Sequence, residues 1–223
     1  MAVAIPFSAS YASGTTVDEI TVNFSGTVTA GNLLLCACVY QSGRTLTTPS
    51  GWTVVGGVSG GNAALKVFKK IAEAADNLVT FTVDSATHRM SGTYIELSGT
   101  DGTVNGFATN SDTVDGTSHS SPDQSGVPSG GWCWAVYGGQ TLDSGVYPIV
   151  SVSGSGWNER TDTTSTSASL TNMYIGTAYN ATGTGTVTGN GSSWSETMTE
   201  MLAASLYLIS NSTNRSSLLM ASL

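Results

Sequence analysis

The chain has 223 residues, of which 27 are glycine, 32 serine and 32 threonine, and only 10% are charged. Seven basic against fifteen acidic side chains leave a formal charge of −8, which excludes the cationic footprint that a nucleic-acid binder needs for phosphate. With 39% apolar residues the chain can still bury a core, so the Ser/Thr/Gly bias does not imply disorder.

The N-terminal arm, residues 1–14, has no Lys or Arg ahead of a long apolar stretch, so no secretory signal is expected and the chain is expected to start in the cytoplasm. The segment from Asp18 to Phe24 alternates, with Ile20, Val22 and Phe24 on one face of a predicted strand. Leu33 to Tyr40 is the longest apolar run, far short of the roughly twenty residues that span a bilayer, and it reads as a central strand buried on both faces. Gly51–Val55, Leu65–Ile71, Leu78–Val83 and Gly92–Leu97 follow, rich in the β-branched and aromatic residues that suit a pleated surface. The polar stretch from Thr100 to Ser129 contains a further strand, Thr103–Phe107, and reads as a crossover between sheets. Ser195 to Ser210 carries spacings that also suit a helix, but a likeness to the first half favours a strand from Ala203 onward.

That likeness is an internal echo. Gly31–Tyr40 matches Gly130–Tyr137, Ser50-Gly-Trp-Thr53 matches Ser155-Gly-Trp-Asn158, and Leu65–Ala72 matches Met173–Ala178. Val79–Val83 matches Gly185–Thr188, and Ser91–Ser98 matches Ala203–Ser210. Short strands with frequent turn signals and this ordered echo predict an all-β fold, a single antiparallel β-sandwich, jelly-roll-like, built from two pseudo-repeated halves. The sandwich spans 15–210, with halves at about 15–102 and 103–210, and a C-terminal tail occupies 211–223. Each half could form a small sandwich alone, or the halves could interleave strands in one larger sandwich. The second arrangement is preferred, because neither half is rich in large apolar residues and small domains bury less of their surface.

Few residues suggest chemistry. Cys36 and Cys38 share one face of a strand, and with Cys133 they read as small buried hydrophobes, neither a disulfide framework nor a metal site. Gly57-Val-Ser-Gly-Gly61 matches a nucleophile-elbow pattern but lies between two β segments, and His88 and His119 are remote from it. Asp101-Gly, Asp112 to Gly116 and Pro122-Asp123 read as turns before they read as calcium loops. Lys66, Lys69 and Lys70 read as a solvated face or a lysine-guarded sheet edge. Of the tryptophans, Trp52, Trp132, Trp134 and Trp157 take core positions, while Trp194 is the ring expected on an exposed loop. Sequons occur at Asn23, Asn180, Asn190, Asn211 and Asn214, without an export signal to support their use. The apolar end of the tail is expected to pack on its own domain or on a neighbour, and so is the N-terminal arm.

The series Ala30–Leu35, Pro49–Thr53, Val67–Ala72, Val79–Val83 and Tyr94–Gly99, followed by its degenerate second copy, resembles the β-sandwich virion module of tailed bacteriophages, as in capsid decoration (cement) and fibre proteins. The resemblance implies a structural protein of the virion, assembled in the host cytoplasm, with no catalytic, cofactor or metal site. Its implied partners are the major capsid protein or other virion subunits and further copies of itself, with no nucleic acid and no membrane. Ile5, Phe7, Leu218, Leu219 and Met220 are the candidate assembly contacts. A tail or head fibre component, or an adhesin that binds a receptor or glycan through loops, is the alternative, with Trp194 as its candidate ring.

Overall fold

The alternating segments become strands whose two faces meet two different cores. The computed structural model describes residues 3–12, 17–85, 89–141, 149–164 and 172–210, and these hold fifteen β-strands and no helix. In the first half they are β1 (Ser8–Ala12), β2 (Glu19–Asn23), β3 (Leu33–Gln41), β4 (Thr53–Ser59), β5 (Ala63–Ile71), β6 (Leu78–Thr82) and β7 (Ser91–Leu97). The second half contributes β8 (Thr100–Asp112), β9 (Gly116–Ser120), β10 (Gln124–Thr141), β11 (Ile149–Ser153), β12 (Trp157–Thr164), β13 (Asn172–Val187), β14 (Gly191–Met198) and β15 (Glu200–Ser210). Ser195 to Ser210 is therefore strand, broken only at Thr199; the echo predicted this from Ala203 onward, and the helix-like spacing before it does not form a helix.

Two five-stranded sheets, ordered β1-β7-β3-β5-β4 and β12-β13-β10-β15-β8, face each other at the centre. The pair β2-β6 covers the outside of the first, and the three-stranded β11-β14-β9 covers the outside of the second. The fold is thus an all-β, sandwich-like stack of four antiparallel layers. Strand β3 shows why the run from Leu33 to Tyr40 contains no polar residue. Leu33, Leu35, Ala37 and Val39 enter the central core, whereas Leu34, Cys36, Cys38 and Tyr40 enter the core beneath β2-β6. Strand β10 divides likewise, with Trp132, Trp134 and Val136 central and Cys133, Ala135 and Tyr137 outward.

The halves do not interleave, which corrects the preferred arrangement. Strands β1–β7 build one large and one small sheet, and β8–β15 build the other two. Each half meets the shortage of large apolar residues by burying one face of its large sheet against the other half. Both halves share one connectivity: β1, β7, β3, β5 and β4 occupy the places of β8, β15, β10, β13 and β12, and β2-β6 that of β9-β14, leaving β11 additional. The first half divides seven strands into sheets of five and two, and the second divides eight into sheets of five and three. The Val79–Val83 echo alone is displaced: its match ends β13, while the topological partner of β6 is β14. Packing between halves is reciprocal, with β1 on β12, β4 on β8, β7 on β13, β5 on β15 and β3 on β10, as in an isologous dimer interface.

Polar groups also cross this interface. The Arg89 guanidinium donates to Asn172 Oδ1 at 3.0 Å, and Ser91 Oγ donates to the Met173 carbonyl at 2.8 Å. The Thr161 hydroxyl lies 3.2 Å from that of Thr93 and 2.8 Å from that of Thr177. Glu200, at the start of β15, accepts from the backbone N–H groups of Asn62 and Ala63 at 2.7 and 2.8 Å, capping the β4–β5 turn from the other half.

Candidate functional site

Pro49-Ser-Gly-Trp52 folds into a turn in which the Trp52 N–H donates to the Pro49 carbonyl at 3.1 Å and Gly51 has φ 80°. A positive φ at the third position is the mark of a type II turn, and glycine adopts it without a Cβ clash. The same loop runs beside β6, joined to it by a 2.9 Å bond from the Thr47 N–H to the Thr82 carbonyl. Along β6 the side chains of Val79 and Phe81 point into the core, so Leu78, Thr80 and Thr82 point out. Between loop and strand lies a groove of about 370 Å³, bordered by Thr47, Trp52, Leu78 and Thr80 and also by Lys70 and Asp76. Trp52 is half-buried, its inner part against the outer core, and Leu78 is 43% exposed.

Lys70 Nζ stands 2.7 Å from Asp76 Oδ1 and 3.5 Å from Glu73 Oε2. The second Asp76 oxygen accepts from the Glu73 N–H at 2.8 Å, which holds the carboxylate in place. The hydrogen bond that Lys70 donates to Asp76 is the main cause that raises the Lys70 pKa, against the opposing effect of burial. The ammonium therefore stays charged throughout the neutral range.

The second half repeats the turn with a different outcome. The Trp157 N–H donates to the Gly154 carbonyl at 3.3 Å, and Gly156 again has φ 80°. A groove of about 450 Å³ lies beside it, bordered by Ser155, Asn180, Thr182 and Thr186 with no ionisable side chain. The Trp157 ring is only 8% exposed and spends its indole N–H on the Thr188 carbonyl at 3.1 Å. Asn180 is likewise occupied, by the Ser155 carbonyl and the Thr182 N–H.

Of the candidate assembly contacts, Ile5 and Phe7 are both half-buried on this chain's own body, Ile5 against the central core and Phe7 against the first outer core. Two bonds between Ala4 and Ser98, and one from the Glu96 N–H to the Phe7 carbonyl, stitch the arm to β7 and its end. Leu218, Leu219 and Met220 lie outside the described residues, as does His88. Trp194 is not on an exposed loop: it sits in β14, 5% exposed, edge-on to Tyr174 with ring centres 4.3 Å apart. The lysine segment is not a sheet edge either, because β5 lies between β3 and β4. Lys66 and Lys69 lie along the surface with their ammonium groups at carbonyls of Leu46 and Gly102.

Other candidate groups are held in structural contacts. The thiols of Cys36, Cys38 and Cys133 are buried and unpaired, the first two beneath β2-β6 and the third in the opposite outer core. Burial pushes the Cys133 thiol up to about 12. Ser59 of the Gly57–Gly61 pattern ends β4 at a hairpin, not at a strand-to-helix turn. His119 on β9 sits 3.0 Å from Asn110 Oδ1, and burial lowers its pKa against the raising effect of Asp112. Asp101, Asp112 and Asp123 each accept a backbone N–H, those of Thr103, Val114 and Gly189. The buried Glu96 carboxylate pins the loop before β3, accepting from the Thr29 N–H and the Asn32 side chain. Among the described residues no three metal-ligating side chains come together.

The Trp52 groove is the site that sequence reasoning missed. Equivalent turns made Trp52 and Trp157 look like two core rings, and the ion pair beside only one of them comes from residues six apart across the β5–β6 connection. No protein-family profile matches the chain, and neither a curated protein nor a solved structure is detectably similar to it.

Proposed function

We propose that the chain is a non-enzymatic structural protein of a bacteriophage virion, a capsid decoration protein that stabilises the shell through contacts with the major capsid protein and with copies of itself. The observation that carries this reading is the use made of the interior polar groups. Arg89, Ser91 and Glu200 bind one half to the other, and Glu96 secures a loop. Two sandwiches are thereby joined into one body through a shared apolar core, a construction suited to bearing load. The resemblance of the Pro49–Thr53 and Tyr94–Gly99 segments to virion modules points the same way. Attachment would draw its strength from many symmetric copies, each contributing a modest contact.

The test compares particles made with and without the protein. Particles without it are expected to release their genome at lower temperature, or on transfer to low salt, and to regain resistance when the purified chain is added back. Equal resistance of both particle types would end the proposal.

A further inference from the structure

We propose that the groove beside Trp52 binds a neutral oligosaccharide, with the indole and Leu78 forming its apolar surface and the Lys70–Asp76 pair reading hydroxyl groups. A pyranose ring has an apolar C–H face and a rim of hydroxyls, so it needs a flat apolar surface bordered by donors and acceptors. Trp52 and Leu78 supply the surface, each on a separate element and each partly accessible. Around them Thr47, Thr48, Ser50 and Thr80 line the wall with hydroxyls that can both donate and accept.

The charged pair adds strong donors and acceptors to the groove lining. Lys70 carries three N–H donors, and Asp76 accepts from it at 2.7 Å while accepting a backbone N–H through its other oxygen. Held side by side, an ammonium and a carboxylate can engage two neighbouring hydroxyls, one as donor and one as acceptor, through charge-assisted bonds stronger than neutral ones. With Glu73 also 3.5 Å from Lys70 the local charge is net negative, and the chain as a whole carries −8, so the field at the groove disfavours sialylated, sulfated or phosphorylated sugars. The volume of about 370 Å³ lies at the small end of ligand sites, which fits one or two sugar rings.

The second half serves as an internal comparison. It has the same turn with the same glycine geometry, but its tryptophan is buried with the indole N–H spent and no ionisable group borders its groove. Binding is therefore assigned to one groove only. This holds whether the protein decorates a shell or belongs to a fibre.

The experiment uses the full chain on an array of glucose-, galactose-, mannose- and N-acetylglucosamine-terminated oligosaccharides, alongside sialylated and sulfated ones. Binding to neutral members is expected, with at least a tenfold loss of affinity for Trp52→Ala in calorimetry on the best of them. Thr80→Arg blocks the groove without removing core packing and is expected to abolish binding in a protein of unchanged fold by circular dichroism. Thr182→Arg, in the other groove, is expected to leave affinity unchanged. Absence of binding to every neutral glycan, binding confined to acidic ones, or affinity that survives Thr80→Arg would each overturn the assignment.

Discussion

Glu200 sets the cost of joining the halves at a single residue. Its carboxylate is 1% exposed and caps two backbone N–H groups of the opposite half. It fits only because residue 60 is glycine: a Cβ there would occupy the position of Glu200 Oε1. Glu200→Ala should destabilise the protein by about 3 kcal/mol, since it removes charge-assisted bonds and leaves a buried N–H without an acceptor. Gly60→Ala should cost a similar amount by expelling the same carboxylate, and the double variant should cost much less than the sum. Urea denaturation of the three variants checks this, and strictly additive losses would show that the two residues act separately. Trp194 is the complementary case. As a ring set against Tyr174 in a buried core, it should cost about 3–5 kcal/mol as Trp194→Ala, without affecting glycan binding in whatever fraction remains folded.

At the scale of elements, the strands owe their residue choice to being buried twice. β3 and β10 each divide their side chains between a central and an outer core, so a cysteine or tyrosine in them has little access to water. Burial is the first cause raising the pKa of all three thiols and of Tyr94, Tyr137 and Tyr174. In the unfolded chain the thiols lose their protons near 9.0, whereas folded Cys133 keeps its proton up to about 12. Above pH 9 the unfolded state therefore binds fewer protons than the native one, and stability falls as pH rises toward 12. The slope is about 1.4 kcal/mol per pH unit for each such group while it lies between its two pKa values. The urea midpoint should drop clearly between pH 8 and pH 10.5, with the tyrosines adding to the fall at its upper end. An unchanged midpoint would contradict this account of the buried thiols.

For the whole molecule, the central core is drawn from both halves: Leu33, Leu35, Val39 and Leu65 from one, Trp132, Trp134, Ile175 and Leu206 from the other. Separating the halves would expose all of these, so heat should unfold the protein in one transition with equal calorimetric and van't Hoff enthalpies. Two resolved transitions would mean that each half is stable alone. Strand type and face were legible in the residues, because alternation at Asp18–Phe24 and the apolar run at Leu33–Tyr40 depend only on local period and burial. The separation of the halves was not legible. Strand pairing is long-range, and the same alternating strands satisfy either an interleaved sheet or two stacked ones.

The amino-acid sequence by itself determined an all-β chain, the positions of most strands and turns, and a second half that follows the order of the first, since each is written in neighbouring residues. Tertiary structure alone decided that β7 and β15 belong to different sheets, that Trp194 is covered by Tyr174, and that Trp52 keeps a partly open ring beside Lys70 and Asp76. Whether a tryptophan becomes core or surface depends on what folds over it, and that covering comes from residues distant along the chain.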